Sequence, residues 1–191
     1  MTVHGRYTGL VREDLGWLSS GASRPSQDAV FHRANLPRAP LGDQAALTSG
    51  VMTSVPLYLS AGDLVTNLTF ISGGTAAATP TNYWFALYST ASTPALLAQT
   101  ADQLTAAWAA DTAKTLALAS AYRVVTSGIY WAAVMVAAGT PPTLMGAMGA
   151  KPVLSGENNL AVTSGSSLTT TAPATIATPA FKRTIPLVIA S

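Results

Sequence analysis

No cysteine occurs in the 191 residues, and charge is almost as scarce: 10 Lys and Arg against 8 Asp and Glu, together 9% of the chain. Without thiols there is no disulfide, no thiolate nucleophile and no cysteine-ligated zinc. A formal charge of +2 without a basic cluster makes a poor nucleic-acid surface, because that affinity comes from neutralising several phosphates together. The pI near 9.1 follows from a small difference between two small numbers. There are only two histidines, His4 and His32, and neither has a partner at short ligand spacing, so no metal site is expected. Long apolar runs are missing too. The most apolar stretch, 129–138, is broken by Gly139 and by Pro141 and Pro142, and is about half of the ~20 residues a bilayer-crossing helix needs. The first residues lack the apolar core of a signal peptide. These absences predict a chain made in the cytoplasm of its host and neither inserted in a membrane nor exported by a signal peptide.

What the chain does have is small and β-branched side chains. Alanine (35) and threonine (25) dominate, while Phe and Trp number four each. Threonine suits the pleated surface of a strand, and small side chains suit closely packed sheets and interfaces between subunits. Nine of the 18 charged side chains fall within residues 1–43, and only Asp63, Asp102, Asp111, Lys114 and Arg123 lie between 44 and 150. This asymmetry divides the chain into an N-terminal arm (1–46), a compact domain (47–150) and a C-terminal extension (151–191). In the arm, Val11, Leu15 and Leu18 recur at helical spacing beside Trp17, which predicts a short helix over 9–18 weakened by Gly16. Farther on, Pro37 and Pro40 favour extended backbone around Arg33 and Arg38. An arm of this kind suits docking onto a partner, with Val11, Leu15, Trp17, Leu18, Arg33 and Arg38 as its contact residues.

From residue 51 onward the pattern is one of strands: 51–59, 63–71, 82–89, 114–119, 122–126 and 129–138, each bounded by Gly, Pro, Ser or Asn. The run from Tyr83 to Tyr88 is apolar at every position, as expected of a central strand covered on both faces. Short strands at such spacing predict an all-β fold, an antiparallel β-sandwich or jelly roll. Leu104 and Trp108, four apart in an alanine-rich segment, suggest one helical turn in a crossing loop. Residues 164–180 form a Thr/Ser/Ala/Pro tract with little to bury. Residues 181–189 read as a last strand, placed at an edge because Pro186 cannot donate to a ladder. No repeat of fixed period is present.

Catalysis needs convergent titratable groups, and few are available. Asp102 and Asp111 flank Trp108 and could be imagined as an acid and a base, but aspartates in such positions usually build turns. There is no nucleophile elbow and no phosphate-cradling glycine loop; Ser72, Gly73 and Gly74 read as a turn. Asn67, Leu68 and Thr69 match a glycosylation sequon, which a chain without a leader would not have modified. Trp84, Trp131, Tyr83, Tyr88 and Tyr130 could form a sugar-stacking platform, yet all lie in apolar strand runs where a core role is commoner. That leaves Trp108 as the candidate exposed contact. Neither a cofactor nor a catalytic residue is expected, which disfavours a carbohydrate-active enzyme.

Several blocks are familiar together: LTSGVM at 47–52, LVTNLTFISGGTAAATPTNYWFALY at 64–88, LLA at 96–98, AWAADTAKTLAL at 107–118, GIYWAAVMV at 128–136 and PTLMG at 142–146. Over residues 47–147 the chain resembles a β-sandwich module of tailed-bacteriophage virion proteins, especially those of phages of actinobacteria. The resemblance implies a non-enzymatic structural role on a virion surface, with no catalytic motif to carry over. Such modules occur in capsid decoration, minor tail and fibre-like proteins. The expectation is a decoration protein whose arm docks onto the major capsid protein, or onto tail proteins if it sits there. A homo-oligomer, a trimer, is expected by analogy with phage surface proteins at local three-fold positions, and a host-surface glycan would be a further partner.

Overall fold

The computed structural model describes residues 32–150 and 159–191. Every regular element in them is a strand. Two short strands open the order, β1 (Arg33–Ala34) and β2 (Gly42–Asp43). The long framework follows: β3 (Met52–Leu59), β4 (Leu64–Ile71), β5 (Ala78–Tyr88), β6 (Leu96–Gln99), β7 (Ala113–Arg123) and β8 (Gly128–Thr140). Short strands close it: β9 (Met145–Met148), β10 (Val162–Ser164), β11 (Ala180–Phe181), β12 (Thr184–Pro186) and β13 (Val188–Ala190). The result is all-β with antiparallel sheets, an arrangement consistent with a β-sandwich. One sheet runs β1-β13-β4-β7, a second β11-β10-β3-β8-β5-β6, and a small third sheet β12-β9-β2.

Pairing in the framework is nested: β3 with β8, β4 with β7, β5 with β6. The first two sheets share one core. Alternation assigns the faces, since successive side chains on a strand point opposite ways. Val55, Leu57 and Leu59 from β3, Tyr83, Phe85 and Leu87 from β5, and Val134 and Val136 from β8 meet Val65, Leu68 and Phe70 from β4 and Leu116 and Leu118 from β7. Phe70 and Phe85 touch across the gap, ring centres 4.8 Å apart.

The complementary residues of the six-stranded sheet, Met52, Trp84, Ala86, Tyr88, Ala133 and Met135, form a second core on its outer face. What covers them is the Thr/Ser/Ala/Pro tract. Leu168, Ala172 and Ile176 pack onto that face. Polar atoms tie the tract down: Trp84 Nε1 donates to the carbonyl of Thr169 at 2.6 Å, Tyr88 Oη to that of Pro173 at 2.8 Å, and Gln99 Nε2 to that of Thr170 at 2.7 Å. The segment expected to bury little is thus the strap that makes β5 a doubly covered strand. Its small side chains are what allow an irregular backbone to lie so close to a sheet.

Four further expectations need correction. Residues 33–34 and 42–43 are woven into the sheets, β1 on β13 and β2 on β9, so the folded unit begins well before residue 47. Residues 114–119 and 122–126 are not separate strands: β7 runs through Ala113–Arg123, with an irregularity in β4 between Val65 and Asn67. No helical turn joins Leu104 to Trp108; Leu104 has a left-handed φ of 50°, outside the helical region. Finally, 181–189 is split. Pro186 does lie on an edge strand, β12, but β13 sits inside its sheet between β1 and β4. The expected helix over 9–18 lies outside the described residues.

Candidate functional site

Of the expected docking residues, Val11, Leu15, Trp17 and Leu18 lie outside the described residues. Arg38 is exposed. Arg33 is not a free arm residue. Its guanidinium grips Asp63 with two contacts, Nε to Oδ2 at 3.0 Å and Nη2 to Oδ1 at 3.1 Å, and both side chains are largely buried. Asp63 Oδ2 also accepts from the Ser60 amide at 2.8 Å. The pair therefore fastens β1 to the β3–β4 turn, and the chain enters the fold at that end of the sheets.

Trp108 is a core residue, only 1% exposed. Its ring lies 5.7 Å from both Tyr83 and Phe85, its indole nitrogen donates to the carbonyl of Thr112 at 3.3 Å, and its carbonyl accepts from Ala77 at 3.0 Å. A loop position in the sequence does not imply exposure, because this loop folds over the open end of the shared core. Asp102 serves as a turn builder, accepting from the amides of Tyr83 at 3.0 Å and Leu104 at 3.2 Å and from the side chain of Asn82. Burial, then the nearby Asp102 carboxylate, pushes the Tyr83 phenol above its ordinary value. Burial pushes Tyr88 well above its own, and burial, then the neighbouring Tyr122, raises Tyr130. Among the described residues no three His, Asp or Glu side chains gather as a metal site. No helix among them is long and apolar enough to cross a membrane, which says nothing of strands.

Among the described tryptophans, Trp131 is the one that partly reaches the surface. It was expected in the core, and it does pack against the strap-covered cluster, but it is only partly buried. Its row across the sheet is Pro56, Trp131, Tyr88. The strap shields Tyr88 fully, whereas Trp131 lies at the margin of the covered cluster, beside Ile176 and Pro179 of the strap. A pocket of about 220 Å³ opens there, with the apolar Trp131, Ile129 and Ile176 and the polar Thr90, Ser92 and Asn159 among its lining residues. Ile129 is 46% exposed and lies opposite Tyr58, 42% exposed, so the apolar surface continues past the pocket.

Backbone bonds fix the walls. Ile176 donates to the carbonyl of Pro94 and Leu96 to that of Ala174, both at 2.9 Å, which joins the 89–95 loop to the strap. Ser89 Oγ accepts from Ala95 at 2.9 Å and closes the loop on itself. Gly128 leaves room for Thr90, whose methyl group would stand 3.2 Å from any Cβ placed there. Sequence reasoning weighed Trp131 as a sugar-stacking residue and set it in the core. The signal that it differs from Trp84 lay elsewhere, in which residues of the sheet face the strap covers fully. No family model and no curated protein sequence matches the chain.

Proposed function

We propose that the chain is a non-enzymatic structural protein of a bacteriophage virion, a capsid decoration protein docked onto the major capsid protein by its N-terminal arm. The observation that carries this reading is the resemblance of residues 47–147 to virion-surface modules. Those blocks lead into β3 and fall on all or part of β4 to β9. Nested pairing of this kind is the logic of a jelly roll, an architecture used by viral capsid and lectin domains. Fold alone does not assign a function, so the weight rests on the residues that resemble.

A homo-oligomer, in this reading a trimer, is supported by the outer face of the four-stranded sheet. Asn67, Thr69 and Ile71 of β4, Thr115 and Ala117 of β7 and Ile189 of β13 are neighbours there, and none of them carries a charge. Uncharged sheet faces and edges are commonly covered by neighbouring subunits. A stable monomer in sedimentation equilibrium at micromolar concentration would rule the oligomer out.

The second reading is a minor tail or fibre protein that contacts the host surface; the pocket beside Trp131 is the observation that favours it. Immunogold labelling of purified particles separates the two. Gold spread over the head supports decoration, whereas gold confined to the tail or its tip replaces it with the second reading. Unlabelled particles would overturn both.

A further inference from the structure

We propose that the pocket beside Trp131 is a binding site for one neutral pyranose ring of a glycan. The inference concerns the chemistry of the pocket and does not depend on where on a virion the chain sits. Its volume, about 220 Å³, is below the roughly 300–1,000 Å³ of sites that engulf drug-sized ligands, and suits a single ring. Trp131 supplies a partly accessible indole against which the C–H face of a sugar ring can lie. Aromatic side chains combine a large apolar area with few torsions to freeze. The lining also includes two hydroxyl side chains, Thr90 and Ser92, and the amide of Asn159. Together these offer donors and acceptors in the mixture that sugar hydroxyls require.

No charged side chain is among the described residues that line the pocket, which points to a neutral ring rather than a sialic or uronic acid. The walls are also pre-formed. Hydrogen bonds between the 89–95 loop and the strap, and the β10–β11 pairing on the far side, hold them before any ligand arrives. A pre-ordered site avoids much of the ordering cost of binding. A second copy of the chain could instead cover this surface, since Ile129 and Tyr58 extend the apolar area. The hydroxyl and amide side chains in the lining favour the sugar.

The test is saturation-transfer NMR on the full chain. The probes are the methyl glycosides of glucose, galactose, mannose and N-acetylglucosamine at about 10 mM, well above the ~1 mM Kd expected for single-ring contact. Transfer to the ring protons of at least one probe is expected, weakened at least tenfold in Trp131→Ala. Ser92→Arg, which sets a long side chain over the mouth from an exposed position, should abolish it with unchanged melting and covers the case in which Trp131→Ala fails to fold. Absence of transfer to all four probes overturns the proposal. So does transfer that survives Ser92→Arg, or self-association that Ser92→Arg dissolves while no sugar signal appears.

Discussion

At the scale of single residues, the three described tryptophans show how little a side chain's type says about its task. Trp84 was legible as core because it lies in a run apolar on both faces. Trp108 was not, because a loop carries no periodicity from which to infer burial. Trp131 shares the pattern of Trp84 yet differs in exposure, since it lies at the margin of the covered cluster and lines the pocket there. Replacing Trp84 or Trp108 by Ala should cost about 3–5 kcal/mol through lost burial and residual cavity, whereas Trp131→Ala should cost no more than about 2 kcal/mol. Against a total of roughly 5–15 kcal/mol, thermal melts resolve that order; a silent Trp108→Ala would contradict its core assignment. Buried phenols give a second residue-scale expectation. Tyr83, Tyr88 and Tyr130 hold their protons more tightly when folded than the unfolded chain does, whose tyrosines titrate near 10. Their contribution is therefore intact below about pH 10 and is lost as pH rises beyond it, where the unfolded state sheds protons first. Melting temperature should stay level from neutral pH to about 9 and fall above about 10, less steeply in Tyr88→Phe. An equal slope in that variant would remove Tyr88 as the cause.

At the scale of elements, the strands β3, β4, β5, β7 and β8 were readable because apolar positions and turn residues bound them, though β7 was cut in two where alanines and a serine blur its alternation, and the four-residue β6 was missed. Residues 164–180 were not readable. A strap bonded to a sheet through scattered carbonyls has neither period two nor a high apolar content. Its role emerges only once Trp84, Tyr88 and Gln99 are seen donating to it. The small third sheet was likewise hidden, since two-residue pairings such as β2 on β9 leave no pattern. Gly146 shows how tightly this sheet is drawn. A Cβ there would stand 2.2 Å from the backbone carbonyl oxygen of Ile185 in β12. Backbone cannot yield as a side-chain tip can, so Gly146→Ala should force β9 from β12 and destabilise by about 1–3 kcal/mol. Hydrogen exchange would show the loss first at the Ile185 and Leu187 amides; unchanged protection and unchanged melting would mean the strands part without cost.

At the scale of the whole molecule, the all-β class and the antiparallel sheets were legible in composition and spacing, and the domain limits were not. Charge density marked residues 1–43 as different, but charge does not reveal that Arg33 closes on Asp63 or that residues 33–34 and 42–43 complete two sheets. The C-terminal residues likewise supply an inner strand and a strap rather than an appendage. The candidate site was half legible: Trp131 was among the aromatics weighed for sugar contact, while Thr90, Ser92 and Asn159 come to it from loops that only the fold brings together. The reading as a capsid decoration protein has one direct consequence, because such a protein repeats with the shell it covers. Quantitative protein staining of purified phage particles should give this chain in hundreds of copies per particle, in a simple ratio to the major capsid protein. A handful of copies per particle, matching tail-tip components instead, would contradict it.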